Sequence, residues 1–517
     1  MPLAIPGRAA KLAPMTRIIP AALAAFVGLS ALGAAADNNL RIGVTAMPPA
    51  RGNPYGVVGA TSNVVLPSIY DRLVMLDNDG NLQPQLAERW EMRDPLTWVF
   101  HLRHGVTFSN GERFDAPGAK AVLDKVRSED GATLTSVTAR EVRLLAGIEV
   151  EDPYTLVLKT AQPNAALARH FFVVPFTAPN HLNKVGFNGL ATEPVGTGPF
   201  IADTWTAERI TMRANKTSWR APKLDQLEFV PLPEPTARIQ ALLSGGIDVA
   251  VNVDPEQSQT LQDGGQRMAQ RKAARILAIA LSSLDPASPF KDERVRQAVN
   301  YGVNREAITK TLLGGLVEPA SQGTIPEALG YNPDLKPYPY DPEKARALLK
   351  EAGYPNGFAF DYEFPTGNLP GGEAIMQQIA ADLSKIGVKM NVQPISYAQF
   401  AKYYVQGGWK SQALLADYPV VAGDGLRSIY RSYHACDANA PWFCDRTIQA
   451  VVDAAGIEPD LNKRTEMTRQ ILKYYRDTAE TLLLFPVLGL DGISPRVTHW
   501  ELWNDIIQFH KLTVKPN

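Results

Sequence analysis

The chain has 517 residues, more than one hydrophobic core usually supports, so several domains are expected. Hydrophobic residues make up 45% of the chain and charged residues 20%, close to the usage of ordinary globular proteins, which excludes a fibrous or disordered protein. The 40 prolines and 39 glycines indicate many turns. The 52 basic and 53 acidic residues give a net charge of −1, so no overall field would draw the protein onto nucleic acid or an anionic membrane.

Residues 1–36 have the layout of a secretory signal peptide. Basic residues precede an apolar run at 18–32, and alanines at 34–36 match a cleavage pattern that predicts a mature start near Asp37. A membrane anchor is the alternative, but a spanning helix needs about 20 apolar residues. Met15 is a second candidate initiator, and no cysteine follows the run, so a lipid anchor is not expected. These features predict a soluble, exported protein.

The next segments mix strand and helix patterns up to about residue 190. LRIGVT at 40–45 predicts a buried strand, and the Pro/Gly-rich segment at 46–61 is typical of a loop that lines a cleft. TWVFHLR at 97–103 alternates like a half-buried strand. Asp115, followed by Pro117 and an apolar stripe, predicts an N-capped helix.

Helix and strand patterns alternate again after residue 195. EPTARIQALLSGG predicts a helix that stops at Gly245, and the strand IDVAVNV follows at once. Asp341 and Pro342 open a helix that ends at Gly353, and 373–386 places apolar residues on one helix face before the strand KMNVQ. Alternation of this kind builds sheets flanked by helices, so the predicted fold class is α/β.

The two cysteines of the chain are Cys436 and Cys444. In an oxidising compartment such a pair predicts one disulfide that closes a small loop and stabilises the fold by about 2–3 kcal/mol. A metal pair or free thiols are the alternatives, but metal sites favour closer cysteines and further ligands, and only His434 lies near. The disulfide is the favoured interpretation.

Most known catalytic motifs are absent from the sequence, and no catalytic residue or cofactor is predicted. The chain has no H-E-x-x-H, no G-x-S-x-G and no phosphate loop ending in G-K-[ST]. Ser288 and Lys291 match the S-x-x-K of penicillin-binding enzymes, but S-D-N and K-T-G are absent, so a surface turn is favoured over a secreted acyl-serine hydrolase. A calcium-loop pattern starting at Asp77 has Leu82 where glycine is needed, which favours a β-turn.

Five segments follow one another in a specific order along nearly the whole mature chain, although each is weak alone. The segments are IYDRLVMLDNDGNLQPQLAERWEMRDPLTWVFHLRHGVTFSNGERFDA, VGTGPFIADTW, KLDQLEFVPLPEPTARIQALLSGGIDVAV, DERVRQAVNYGVNREAI and YDPEKARALLKEAGY. Read together, they resemble the solute-binding proteins of ABC importers, in the family that carries peptides, nickel chelates and related solutes (family 5).

The resemblance implies a two-lobed α/β fold of the class II periplasmic-binding-protein type, with an extra domain inserted in the first lobe. The first lobe would combine 37–62, 191–275 and 486–517, the inserted domain would be 63–190, and the second lobe 276–485. It also implies a periplasmic monomer that closes over a small solute and delivers it to an ABC permease at the inner membrane. No nucleic-acid partner is expected.

The resemblance further implies a ligand contact at Asp417. In peptide-binding members an Asp that follows a Trp-containing strand takes the peptide ammonium, and Trp409 and Asp417 match that pattern by position. A fixed carboxylate offsets the hydration that a buried ammonium loses. The alternative is that Asp417 caps a turn before Pro419.

The sequence departs from the dipeptide-binding pattern in two places. YPVVAGDG replaces the usual Asp-Pro-Asn-Phe type run, and EFPTGNLPG lacks the Arg that holds a peptide carboxylate. The predicted solute is therefore a peptide, a longer or modified peptide, or another amine-bearing compound. Arg427 is a candidate for an anionic end of the solute, with a solvated surface Arg as the alternative.

Other predicted lining residues, each with a structural alternative, are Tyr55, Thr366, Asn368, Tyr397 and Tyr418. The cysteine pair, with Trp442 before the second Cys, resembles a loop of dipeptide-binding members and leans away from nickel binding. A nickel-chelate or haem importer component stays the alternative function, and His434 is the residue such a binder would use.

Overall fold

The computed structural model describes most of the chain after the predicted signal segment, which lies outside the described residues. The described ranges are 38–56, 60–134, 136–271, 275–365, 369, 371–396, 399–400, 402–403, 408–430, 436, 441–487 and 489–515. The side chains at 60, 417, 421, 429 and 430 are outside the description as well.

The described strands fall into three main sheets and a few short pairs. In chain order they are β1 (Asn39–Val44), β2 (Val74–Leu76), β3 (Leu82–Pro84), β4 (Ala87–Asp94), β5 (Thr97–Leu102), β6 (Leu145–Asp152), β7 (Thr155–Thr160), β8 (Phe200–Trp205), β9 (Ile210–Ala214), β10 (Gln226–Pro231), β11 (Val249–Ala250), β12 (Arg267–Arg271), β13 (Arg275–Leu281), β14 (Phe358–Pro365), β15 (Val388–Ile395), β16 (Ala413–Pro419), β17 (Thr481–Pro486), β18 (Gly489–Ile493), β19 (Val497–His499), β20 (Leu502–Trp503), β21 (Ile506–Ile507) and β22 (Thr513–Val514).

The helices cover the faces of these sheets. They are α1 (Ala60–Val65), α2 (Ala116–Arg127), α3 (Glu129–Ala132), α4 (Val137–Arg143), α5 (Leu167–His170), α6 (Pro179–Gly189), α7 (Pro235–Leu243), α8 (Ser258–Asp263), α9 (Glu293–Gly302), α10 (Arg305–Thr311), α11 (Pro342–Glu351), α12 (Gly372–Ser384), α13 (Gly425–Tyr430), α14 (Arg446–Gly456) and α15 (Leu461–Asp477). Short 3₁₀ helices lie at Leu66–Ser68, Phe171–Val173, Pro255–Gln257, Pro289–Lys291 and Val421–Gly423.

The seven-stranded sheet joins segments that are far apart in the sequence. Its order is β12-β18-β11-β1-β10-β9-β8, and β1 is parallel to both of its neighbours. Leu40, Ile42 and Val44 of β1 are fully buried on one face, because alternate residues of a strand point the same way. Helices α7 and α8 supply Leu242 and Leu261 to the core on the opposite face.

The five-stranded sheet has helices on both faces. Its order is β15-β14-β16-β13-β17, with β14 parallel to β15 and β16. Apolar residues of α9 to α12 share a core with Leu277 and Ile279 of β13, and those of α14 and α15 share one with Ile276 and Ala278. The chain passes between the seven-stranded and five-stranded sheets twice, from β12 to β13 and from β17 to β18.

The third sheet is four-stranded and antiparallel, in the order β4-β5-β7-β6. Its main helix, α2, begins as predicted, since the Asp115 carboxylate accepts a hydrogen bond of 2.8 Å from the Gly118 N–H. The β-turn predicted at Asp77 is confirmed, because the carboxylate accepts from the backbone of Asp79 and Asn81 between β2 and β3. No helix among the described residues has the length and apolar character needed to cross a bilayer.

Replacement of Tyr362 by phenylalanine is expected to stabilise the protein by about 1 kcal/mol. The Tyr362 side chain is fully buried on β14, and its hydroxyl has no hydrogen-bond partner among the described residues. Removal of an unpaired buried hydroxyl removes its desolvation cost. The matched control is Tyr55→Phe, because the buried Tyr55 hydroxyl donates to the Pro175 carbonyl at 2.9 Å. Urea unfolding should show opposite signs for the two variants; a loss of stability in Tyr362→Phe would contradict this account.

Candidate functional site

Asp417 lies on a central strand of the five-stranded sheet. Its backbone is in β16, where it pairs with Leu277 of the antiparallel β13. Pro419 is the last residue of the same strand, so the backbone at Asp417 is extended and does not form a turn. The position therefore lies on a rigid element, as a fixed ligand contact requires.

Trp409 lies before β16 and not on a strand, which corrects the strand position expected from the resemblance. Its half-buried ring makes an edge contact with the ring of Trp442, with 6.3 Å between centroids. It packs against both apolar cores that flank the five-stranded sheet. Trp409 therefore links the segment before Asp417 to the disulfide region.

Tyr55 and Tyr418 are buried in apolar cores. The Tyr55 ring packs edge-on against Phe187 at 5.6 Å. The Tyr418 hydroxyl lies 3.0 Å from a carboxylate oxygen of Glu480 and 3.1 Å from the Thr481 hydroxyl. Burial raises the pKa of both phenols above the ordinary value. The described contacts give both residues a structural role, and a ligand contact at either stays a prediction.

Arg427 is not a solvated surface residue, which corrects the alternative suggested by the sequence. It lies in α13, its side chain is 15% exposed, and its guanidinium pairs with the carboxylate of Glu141 in α4. Glu141 itself is only 2% exposed. Since burial makes such a pair costly to break, this Arg is held by the protein itself; a contact with a solute stays a prediction.

Several predicted lining residues lie outside the described part of the chain. These are Thr366, Asn368 and Tyr397, together with the side chain of Asp417 and the alternative metal ligand His434.

The predicted disulfide is confirmed, and the metal-pair and free-thiol alternatives are wrong. Cys436 and Cys444 are bonded, with their Cα atoms 4.8 Å apart. The described residues contain no group of three or more His, Cys, Asp or Glu side chains that could hold a metal ion.

The S-x-x-K segment forms a short turn in which the serine and the lysine differ in exposure. Ser288 begins a short 3₁₀ helix and its hydroxyl accepts a hydrogen bond of 3.2 Å from the Phe290 N–H. Ser288 is 5% exposed, whereas Lys291 lies on the surface, so the turn is confirmed but its serine is buried.

A cavity of about 430 Å³ on the four-stranded sheet unit contains none of the predicted ligand residues; it is lined by Glu112, Arg113, Asp115, Pro117, Gly118, Ala121, Pro179, Asn180 and Asn183.

A buried ionic network was not predicted from the sequence. The Asp424 carboxylate contacts Arg464 at 2.7 Å and the His170 Nε2 at 3.0 Å, and all three side chains are at most 4% exposed. Asp424 belongs to the segment VVAGDG that departs from the dipeptide-binding pattern. That departure is the signal in the sequence that could have pointed to the network, since the partners His170 and Arg464 lie far from Asp424 along the chain.

The chain is similar to known proteins over most of its length. The family described as bacterial extracellular solute-binding proteins, family 5 Middle, matches residues 81–434. The glutathione-binding protein GsiB of Salmonella paratyphi A is 30% identical over 397 residues, which cover 75% of this chain and 74% of that protein. GsiB of Escherichia coli K12 is 31% identical over the same lengths.

Solved structures share the fold. DppA of Helicobacter pylori, an ABC transporter-associated periplasmic binding protein in complex with the peptide STSA, superimposes with a TM-score of 0.78 at 21% identity and covers 93% of this chain and 98% of that chain. NikA of Brucella suis in complex with Fe(III)-EDTA gives a TM-score of 0.78 at 23% identity, with 92% and 100% covered. These likenesses show the two-lobed α/β fold.

Proposed function

Because the chain belongs to the bacterial extracellular solute-binding proteins of family 5, we propose that it binds a small peptide whose ammonium group contacts Asp417. The chain is the solute-binding component of an ABC importer for peptides or related solutes, and it is not an enzyme. The family resemblance carried by the five sequence segments is confirmed.

The relatives that carry this proposal are the GsiB proteins, named as glutathione-binding and 30% or 31% identical over three quarters of the chain. Glutathione is a modified tripeptide with one ammonium and two carboxylate groups. The segment EFPTGNLPG lacks the Arg with which dipeptide-binding members hold the peptide carboxylate, so the two carboxylates of glutathione would need partners elsewhere in the cleft. Glutathione is therefore the first compound to test.

We assign the lobes by the sheets that their segments build. The seven-stranded sheet takes its strands from 37–62, 191–275 and 486–517, as the first lobe would. The four-stranded sheet lies within 63–190, the proposed inserted domain. All but the ends of the five-stranded sheet lie within 276–485, the proposed second lobe. The solute cleft would lie between the two lobes, where the chain crosses twice and can act as a hinge.

Family 5 binding proteins are periplasmic or extracellular. We propose that this chain loses its signal segment near residue 36, works as a monomer in the periplasm without a lipid anchor, and presents its solute to an inner-membrane permease. Intact-mass measurement and gel filtration of the protein recovered from the periplasm test cleavage and oligomeric state together.

Thermal unfolding with added solutes tests the proposal directly. Glutathione at about one hundred times its dissociation constant is expected to stabilise the folded protein by about 2.7 kcal/mol, because only the folded state binds it. Tripeptides, nickel chelates and haem are the parallel compounds. If only nickel chelates or haem raise the melting temperature, the alternative function is correct; if no peptide does, the peptide proposal fails.

Replacement of Asp417 by asparagine is expected to weaken glutathione binding at least about tenfold, because the charge-assisted hydrogen bond to the ammonium is lost. Calorimetry with glutathione and with its N-acetylated form completes a double-mutant cycle, in which acetylation should cost affinity in the wild type and little in the variant. The matched control is Asp361→Asn on β14, an exposed carboxylate of the same sheet. Equal losses on acetylation in wild type and Asp417→Asn would remove Asp417 from the site.

A further inference from the structure

The network around Asp424 joins two parts of the fold that meet without a direct chain connection. Glu141 and His170 belong to α4 and α5 beside the four-stranded sheet, whereas Asp424, Arg427 and Arg464 belong to the five-stranded sheet unit. The partners His170 and Asp424 are 254 residues apart in the sequence. Both ends of the segment that carries the four-stranded sheet lead to the seven-stranded sheet. The contacts therefore depend on how the units are placed against each other.

The geometry at His170 fixes one tautomer. Arg464 contacts both oxygens of Asp424, at 2.7 and 3.2 Å. Burial alone would raise the pKa of Asp424, but Arg464 and His170 lower it well below its ordinary value, so the carboxylate is ionised. The His170 Nε2 therefore donates to Asp424 at 3.0 Å, and its Nδ1 accepts from the Asn164 amide at 3.4 Å.

The surroundings of His170 disfavour a second proton. Glu141 Oε2 lies 3.9 Å from its Nδ1, but that carboxylate already pairs with Arg427. Arg464 occupies the Asp424 carboxylate, and Arg169 of α5 lies 3.5 Å from the carbonyls of Ala422 and Gly423. Arg427 and Arg464 therefore pair with the two carboxylates that face the imidazole, and Arg169 adds a third guanidinium near Asp424, so positive charge is in excess. Burial and the nearby Arg427 lower the pKa of His170.

The interface around the network is closely packed. The Ala422 side chain is 1% exposed and lies in the apolar core of the four-stranded sheet unit. A Cβ built on Gly80 would lie 2.1 Å from the Glu327 carbonyl oxygen, so the β2–β3 turn touches the loop before α11. Buried charges that pair across such an interface fix the position of the two units against each other. All of these charges lose their partners when the units separate.

We propose that Glu141 and His170 form a latch that holds the inserted unit against the second lobe when the protein closes, and that protonation of His170 releases it. The proposal rests on lobe closure, as the proposed function does, but not on which solute is bound. The surroundings of His170 in the closed form lower its pKa, so protonation favours the open form. The closed form is therefore favoured above the ordinary histidine pKa of about 6.5 and loses that preference as the pH falls.

The test measures the interface without a solute. Leu144→Cys and Leu461→Cys introduce spin labels at exposed positions next to α4 and at the start of α15, and the two native cysteines are bonded to each other. Pulsed electron resonance then gives the distance distribution. The ratio of short to long distances is expected to fall by up to about tenfold between about pH 7.5 and about pH 5.5, the limit for one proton.

Variants of the labelled protein separate a latch from general stability. In His170→Gln the amide can still donate to Asp424 but does not titrate, so the distances should no longer depend on pH. Glu141→Gln should reduce the short-distance population at both pH values. The control Arg496→Met breaks a partly buried 3.0 Å pair with the buried Asp248 inside the seven-stranded sheet unit, and should lower the melting temperature without changing the distances.

A pH response that persists in His170→Gln overturns the proposal, as does a wild-type distribution that is the same at both pH values. Circular dichroism checks that each variant is folded, and the wild-type comparison stands even if a variant does not fold. Failure of glutathione or peptides to bind would leave these distances unchanged, so it would affect the proposed function and not the latch.

Discussion

Replacement of Asp71 by asparagine is expected to destabilise the folded protein by about 3–5 kcal/mol. Asp71 is fully buried, and its carboxylate pairs with the guanidinium of Arg220, itself 7% exposed. One oxygen accepts hydrogen bonds from the Thr197 hydroxyl at 2.8 Å and the Trp219 indole N–H at 2.9 Å. The other accepts from the Gln85 amide at 3.0 Å. This carboxylate thus joins the start of the four-stranded sheet unit to the seven-stranded sheet unit.

An asparagine at this position has the shape of the aspartate, but its side chain ends in one oxygen and one NH₂ group. The NH₂ group would face the hydrogen-bond donors that now bind one of the two carboxylate oxygens. Arg220 would be left buried without its counter-ion. Urea unfolding at neutral pH measures the loss. The matched control is Glu151→Gln, which removes an exposed 2.5 Å ion pair with Arg93 and should leave the unfolding midpoint unchanged. A loss below about 1 kcal/mol in Asp71→Asn would show that the pair is not coupled to folding.

The parts of the fold that sequence reasoning predicts well are governed by neighbouring residues. The helix that begins after Asp341 is one example, because the carboxylate accepts from the Lys344 N–H three residues on, at 2.9 Å. The stop of α7 at Gly245 is another, since its φ of +74° costs glycine little. The Cys436–Cys444 bond is also local. Spacing alone carries these signals.

The network at Asp424 could not be predicted in this way. Arg427 looked like a solvated residue because its partner, Glu141, lies 286 residues away in the chain. Neither residue belongs to a periodic pattern that would mark it as buried. Only the folded arrangement of the two units brings Arg427 and Glu141 together, so their pairing could not be predicted from the sequence.

The candidate site was predicted by resemblance and not by residue chemistry. The family is confirmed, and Asp417 lies on a central strand as a fixed contact would. Trp409 and Tyr418 pack into the protein, a role that a single sequence cannot separate from ligand lining. A tyrosine on a strand next to an acid has the same local pattern in either case.

Replacement of Glu480 by glutamine is expected to stabilise the protein by about 2–4 kcal/mol at about pH 8 and to have little effect near pH 4.5. Glu480 is 4% exposed, and burial raises its pKa to about 8. The folded state therefore holds a proton that the unfolded state releases near pH 4.5. Its stabilising contribution is complete below that pH and is lost as the pH rises through about 8.

Glutamine keeps the neutral shape and still accepts from the Tyr418 hydroxyl, but it has no proton to lose. Urea unfolding at several pH values between about 4.5 and 8 gives the difference between variant and wild type, which isolates Glu480 from Asp491, whose pKa burial raises to about 6. Glu466→Gln on α15, where the carboxylate is 59% exposed, should follow the wild type throughout. A stability difference for Glu480→Gln that does not grow with pH would mean that this buried carboxyl is not protonated in the folded protein.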